Sequence, residues 1–267
     1  MSRYPRSREE VNRRPRKLGF VSALRTERDG DFLTVTLSRP EVRNAFDAAL
    51  IAELAEAFVD VGRARAVILR GDGPSFCAGA DVDWMRNSAD LGYDDNLADA
   101  NALRQMLEAV NGCPAPVVCA VHGHALGGGA GLVACSDIVI AHEATLFGFT
   151  EVKLGIIPAV ISPFVLAKVG VSAGRRYFVT GERFDAATAR RIGLVHELTA
   201  DLDEALERVL GELRSAGPRA MRAAKRLVLD RPDGLETARR IAERRTSAEG
   251  QEGLQAFLEH RDADWRG

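Results

Sequence analysis

Val117-Val118-Cys119-Ala120-Val121-His122-Gly123-His124-Ala125-Leu126-Gly127-Gly128-Gly129 passes from five apolar residues of buried-strand type into a turn of mostly small residues. Such a turn leaves backbone N–H groups unscreened by side chains and open to a ligand. A second stretch repeats the design, with Ala66-Val67-Ile68-Leu69 followed by Phe76-Cys77-Ala78-Gly79-Ala80-Asp81. Two turns of this kind can converge on one oxygen as an oxyanion hole, which stabilises charge developing in acyl chemistry. A carboxylate, Glu151, follows the second turn. Donors for an oxyanion beside a proton-transfer group define a class of reaction.

Working outward, Val21–Glu27 reads as a strand, and Phe32–Leu37 alternates with Leu33, Val35 and Leu37 on one face. Asp29-Gly30 between them predicts a hairpin. Asp47 predicts a cap for a helix in which Leu50, Ile51, Leu54, Ala57 and Phe58 recur at helical spacing. Residues 86–96 are polar and read as a mobile loop. Leu97–Val110 reads as a helix with Leu103, Met106, Leu107 and Val110 on one stripe, stopped by Pro114 and Pro116. A short helix over Gly128–Cys135 and strands Ile138–Ala141 and Thr145–Phe149 follow. From Ser162 the chain reads as mostly helical, with breaks at Gly170, Gly181, Gly217-Pro218 and Pro232. The expectation is a single α/β domain: a basic arm at 1–20, a core at 21–200 and a helical region at 201–267.

The 267 residues suffice for one large domain, and 46% hydrophobic with 28% charged residues is the balance of a soluble globular protein. Aromatics make up 6%, so the core must rest on Ala, Val, Leu and Ile. No apolar run reaches the length of a membrane span. Cys77, Cys113, Cys119 and Cys135 show no CxxC spacing and read as buried reduced thiols of a cytoplasmic protein. The net charge of −2 divides unevenly: residues 1–17 carry seven basic and two acidic side chains, net +5, leaving −7 for the remainder. This arm has no apolar h-region and is not read as a secretory signal. It reads as a solvated extension, with contact to a nucleic acid or another anion as the alternative.

These motifs resemble the crotonase family, the enoyl-CoA hydratases and isomerases. The resemblance runs from about Leu37 to Trp265. It is carried by Arg39-Pro40 with Asn44-Ala45-Phe46, the Cys77–Asp81 turn, Ala125-Leu126-Gly127-Gly128-Gly129 and Cys135-Ser136-Asp137-Ile138. Phe147-Gly148, Glu151, Leu154-Gly155-Ile156-Ile157-Pro158, Gly193-Leu194-Val195 and Glu249-Gly250 with Ala256-Phe257-Leu258 and Arg261 continue it in order. It implies a spiral of strand–strand–helix turns with a C-terminal helical region that packs trimers, often paired into hexamers. It further implies that the Ala78 and Gly128 N–H groups hold a thioester oxygen and that Glu151 transfers protons. Coenzyme A, as part of an acyl-CoA substrate, is expected along Arg43, Ala45, Gly79, Ala80 and Asp81, with Phe257 helping to cover it. No metal or redox cofactor is implied.

One position departs from the family pattern. Hydratases of the best-known type carry a glutamate three residues after the central glycine and another twenty residues later. Here the second is Glu151, but the first position is Gly131. The context Glu151–Phe164 and the pair Gly131-Leu132 look most like a bacterial subgroup assigned to branched acidic enoyl-CoAs such as methylglutaconyl-CoA or carboxygeranoyl-CoA. Hydration is therefore the first expectation, Δ3,Δ2-isomerisation the second, and nucleic-acid binding through the arm a third of another class. Several single residues have plainer readings. Asp81 reads as a helix cap, and Trp84, Met85 and Phe149 as core or acyl-pocket residues. His122 and His124 form a weak metal signal without a third ligand. Cys77 has no sequence-evident base. Gly129-Ala130-Gly131-Leu132-Val133-Ala134 fits a dinucleotide fingerprint, but it stands too far from its strand and opens too short a helix.

Overall fold

The computed structural model describes residues 22–266, so the basic arm and Val21 lie outside the described residues. Strands β1 (Leu24–Asp29) and β2 (Phe32–Leu37) form the expected hairpin, pairing Leu24 with Leu37 and Asp29 with Phe32 across Gly30-Asp31. Helix α1 (Ala48–Val59) follows, its first turn capped by Asp47, whose Oδ1 accepts the Leu50 N–H at 2.8 Å. Leu50, Ile51, Leu54 and Phe58 are its buried stripe. Next come β3 (Ala66–Gly71), α2 (Val82–Ala89), α3 (Tyr93–Asn111), β4 (Val117–Val121), β5 (His124–Leu126) and α4 (Gly128–Cys135). Then follow β6 (Ile138–His142), β7 (Leu146–Gly148), α5 (Ser162–Thr180), β8 (Arg183–Asp185), α6 (Ala186–Arg191) and β9 (Glu197–Thr199). The chain closes with α7 (Leu202–Ser215), α8 (Pro218–Asp230), α9 (Gly234–Thr246) and α10 (Ala248–Leu258).

Six strands make one sheet in the order β1-β2-β3-β4-β6-β9, parallel apart from β1, and a smaller sheet runs β5-β7-β8. The spiral lies in the alternation: β4 in the large sheet leads to β5 in the small one and then α4, and β6 leads to β7 and then α5. The turn after β3 takes the equivalent place one step earlier, where Cys77 adds a single parallel rung to the small sheet at Ala125.

Both faces of the large sheet are covered, which is why β3 and β4 read as unbroken apolar runs. One face buries Val35, Leu37, Val67, Leu69, Val117 and Val121 among α1, α3 and α4. The other buries Phe32, Ala66, Ile68, Val118 and Ile140 against Ala205, Leu206 and Leu210 of α7. Each such aliphatic side chain contributes roughly 1.5–3 kcal/mol of transfer free energy. Helix α8 is fastened through the buried Lys225, whose Nζ donates to Asp137 Oδ2 at 2.7 Å and to Ala115 O at 3.2 Å. The same Asp137 oxygen accepts the Val117 N–H at 2.7 Å. Helices α8, α9 and α10 leave Val228, Leu235, Phe257 and Leu258 at least 72% exposed.

Three expectations need correction. Residues 86–96 are mostly helix, since α2 runs to Ala89 and α3 starts at Tyr93. Asp81 caps α2, and Asp94 and Asp95 favour the N-terminal end of α3, whose exposed first turns need no apolar stripe. The strand expected at Thr145–Phe149 spans only Leu146–Gly148. The stretch after Ser162 is interrupted by β8 and β9, each too short to show alternation, while α5 bends at Gly170 as its glycine suggested.

Candidate active site

Backbone hydrogen bonds join the two small-residue turns. Phe76 N–H donates to His122 O at 2.9 Å, Cys77 N–H to His124 O at 2.9 Å and Leu126 N–H to Cys77 O at 3.0 Å. The chain then reverses through Gly79 and Gly127, whose φ values of 101° and 52° are those a side chain disfavours. From the next turn of the spiral, Gly148 O accepts the Gly127 N–H at 2.9 Å, and Glu151 follows at the start of a short 3-10 helix ending at Leu154. A Cβ on Gly127 would stand 3.5 Å from Glu151 Oε1 and 4.0 Å from Gly79 Cα. Both turns and the carboxylate therefore meet at one place.

Gly128 opens α4, where an N–H has no partner within the helix, and it makes no backbone hydrogen bond elsewhere among the described residues. Its Cα is pressed against Phe46, since a Cβ there would fall 2.7 Å from Phe46 Cε2. The positive end of the α4 dipole favours negative charge at this point. Glu151 Oε2 is buried without a hydrogen-bond partner. Burial pushes this carboxyl above the usual carboxylate range, against a smaller opposing effect of its own backbone N–H. The arrangement can polarise an oxygen at α4 and exchange a proton beside it.

Ala78 differs from Gly128. Its N–H donates to Arg43 O at 3.0 Å. Arg43 and Asn44 both adopt left-handed conformations, φ 54° and 55°, which bring the Arg43 carbonyl to this position. The loop then runs beside the first turn, with Phe46 N–H donating to Gly79 O at 2.7 Å and Asp81 N–H to Phe46 O at 2.9 Å. Arg43, Ala45, Ala78, Gly79, Ala80 and Asp81 are thus brought together. Phe257 lies outside the cluster of buried residues that these turns join, its side chain 78% exposed on α10.

Arg39 fastens this loop, a role its sequence motif did not disclose. Its guanidinium donates to Ala45 O at 2.6 Å and to Asp81 Oδ2 at 3.0 Å, and it pairs with Asp47 at 3.1 Å. Asn44 adds a buried clasp, accepting the Arg39 N–H and donating to Asp72 O and Ser75 O, each at 2.8 Å. The other Asp81 oxygen caps α2 by accepting from Asp83 N–H at 2.9 Å, so both oxygens have structural partners. An asparagine at fixed spacing from an arginine is the signal that could have found this clasp.

The remaining candidates settle into structural settings. His122 Nε2 lies 2.8 Å from Gly73 O and His124 Nδ1 lies 3.1 Å from Ser75 Oγ. Among the described residues no group of three His, Cys, Asp or Glu has the geometry to hold a metal ion. Cys77 is fully buried, and burial pushes its thiol up to about 12, far from a thiolate nucleophile. Phe149 is core, its ring edge-on to Phe178 at 5.2 Å between centroids. Trp84 packs partly buried against the core. The space beside Gly131 is filled by Ile161, a contact the sequence did not reveal.

A two-sheet spiral bringing small-residue turns to the N-terminus of a central helix defines a crotonase-type fold. The family described as enoyl-CoA hydratase/isomerase matches residues 27–267. The chain belongs to this family and is an enzyme of it. An enoyl-CoA hydratase from Shewanella pealeana has a similar structure, with a TM-score of 0.87, 40% identity and coverage of 91% of this chain and 96% of that one. Pseudomonas aeruginosa AtuE gives a TM-score of 0.88 and 38% identity, covering 92% and 100%. A Mycobacterium tuberculosis relative named (7aS)-7a-methyl-1,5-dioxo-2,3,5,6,7,7a-hexahydro-1H-indene-carboxyl-CoA hydrolase is 37% identical over 199 residues, 72% of this chain and 78% of its own length. Among the described residues no helix is long and apolar enough to cross a membrane.

Proposed function

We propose that the protein adds water across the 2,3 double bond of an acyl-CoA thioester, with Glu151 as its proton-transfer group. The observation that carries this reading is the buried, unpartnered Glu151 Oε2 beside the N-terminus of α4. With the thioester oxygen at the Gly128 N–H, electron density drawn from the double bond collects where the helix dipole favours it. Glu151 takes a proton from water as the hydroxyl bonds to C3, and the charge passes to the thioester oxygen as an enolate. The protonated carboxyl then returns the proton to C2, so that the sum is the addition of one water. Only water and protons move, and the reaction calls for no metal or redox cofactor.

The Ala78 N–H is the second oxyanion donor in this reading. Coenzyme A lies along Arg43, Ala45, Gly79, Ala80 and Asp81, and Phe257 of the C-terminal helix helps cover it. The exposed apolar side chains of α8 to α10 pack trimers, with pairing into hexamers as a further step. The sequence around Glu151 favours a branched acidic acyl group of the methylglutaconyl kind. The cytoplasm suits four unpaired cysteines.

A second reading rests on Gly131. With no side chain there, one carboxylate serves the site, and one carboxylate suffices to move a proton between two carbons of the same enolate. That is Δ3,Δ2-enoyl-CoA isomerisation. Turnover of matched 2-enoyl and 3-enoyl thioesters, with products identified by mass, separates the two. Water incorporated into 2-enoyl substrates is the expected result. Interconversion without a gain of water assigns the isomerase, and no turnover of any thioester defeats both.

A further inference from the structure

Glu151 reaches its place with little polar guidance. One carboxylate oxygen has no hydrogen-bond partner, so its aim depends on how the segment carrying it is packed. Before Glu151 the chain is held by the buried Phe149, but after it the anchoring is poor: residues 153–157 are all exposed, and the chain next buries side chains at Pro158 and Ile161. Ile161 is 2% exposed, and its partner is a glycine. A Cβ on Gly131 would lie 2.5 Å from Ile161 Cγ2, closer than atoms can approach, and a tight 3.2 Å from Ile161 Cβ, with Leu107 Cδ2 at 3.6 Å behind. Gly131 sits one turn along α4 from Gly127, to whose carbonyl its N–H donates at 3.0 Å. Gly127 is the residue whose missing Cβ faces Glu151 Oε1 at 3.5 Å.

Two notches, one at the residue that precedes α4 and one in its first turn, therefore receive two residues of one segment. The Gly127 notch faces the carboxylate, and the Gly131 notch holds the isoleucine. We propose that Ile161 is a positioning residue for the reaction: seated at Gly131, it holds the Glu151–Ile161 segment against α4 and so sets the carboxylate relative to the Gly128 N–H. The same contact excludes any side chain from position 131 and leaves Glu151 without a partner acid. This inference rests on the reading of Glu151 as the proton-transfer group.

The contact can be broken from either side. In a helix interior alanine is intrinsically better than glycine, so a loss in Gly131→Ala must come from the clash with Ile161. Ile161→Ala removes the group seated in the notch, and Ile161→Val keeps both Cγ atoms. Misplacing a reacting group by about 1 Å costs on the order of 10²-fold in rate. Gly131→Ala and Ile161→Ala should each lower kcat toward that extent with KM little changed. Their acid-side limb of kcat should fall toward the ordinary carboxylate range as Glu151 becomes hydrated. Ile161→Val should retain most activity, and the Gly131→Ala/Ile161→Ala pair should recover part of the loss, the new methyl group occupying the vacated space. Should Gly131→Ala not fold, the two Ile161 variants decide the matter alone. A crystal structure of a folded Gly131→Ala or Ile161→Ala variant gives the distance from Glu151 to Gly127 whatever the substrate, which separates this inference from the assignment of the reaction. An unmoved carboxylate, an unmoved pH limb, or losses that simply multiply in the double variant overturns it.

Discussion

At the scale of single residues, the proposed reaction places its proton transfer on Glu151 at an energetic cost. Glu151→Gln keeps the shape and removes proton transfer, and turnover should fall by a factor of roughly 10²–10⁴. Because burial raises its pKa, the limb of kcat/KM that needs the carboxylate should lie above the usual range for glutamate and vanish in the variant. The stability effect has the opposite sense. A raised folded-state pKa means that the group's stabilising contribution is present below its unfolded pKa and is lost as pH rises through the folded value. At neutral pH the ionised carboxylate is thus a burden on the fold. Glu151→Gln should melt at a higher temperature than the parent near neutrality and at about the same temperature in mild acid. Equal melting curves at neutral pH would contradict the desolvation account. Ala78 adds a second energetic point: a thioester oxygen at its N–H must replace the Arg43 carbonyl, so binding there exchanges one hydrogen bond for another and gains only the difference.

At the scale of elements, the loop from Arg39 to Asp47 is held to the first turn chiefly by one side chain. Arg39→Ala removes charge-assisted hydrogen bonds to Ala45 O and Asp81, and chemical denaturation should show a loss of about 2 kcal/mol. KM for acyl-CoA should rise with it, because the loop aligned with Ala78 to Asp81 loses its anchor; an unchanged KM would remove the loop from the binding surface. Elements written in local signals were legible in the sequence: the hairpin around Gly30, the Asp47 cap, the α4 start at Gly128 and the breaks at Gly170 and Gly181. The helical turns over 86–96 were not, because exposed polar helices bury no stripe. Strands β5, β8 and β9 were not either, since three residues cannot display a period of two. The site divides in the same way. The glycine turns and Glu151 announce themselves by composition and order. The seat of Ile161 at Gly131 is a tertiary contact with no counterpart in local pattern.

At the scale of the whole molecule, the helical region is both fastened and unfinished. Lys225 ties α8 to the sheet through Asp137, and α7 covers one face of it. The arm contributes none of the motif residues. Deleting residues 1–17 removes net +5 of charge and should leave kcat on small thioesters unchanged; a fall in a folded truncated protein would give the arm a catalytic or structural part. Nucleic-acid binding that weakens steeply with salt and disappears with the arm would point instead to the phosphate-binding alternative. Val228, Leu235 and Leu258 are largely exposed on α8, α9 and α10. In the proposed trimer this surface is covered and returns to water on dissociation, which would make folding and assembly one equilibrium linked by mass action. The melting temperature should climb with protein concentration and cease to do so in a Val228→Glu/Leu258→Glu variant that sediments as a monomer. Under that proposal dilution would act on this enzyme as a denaturant.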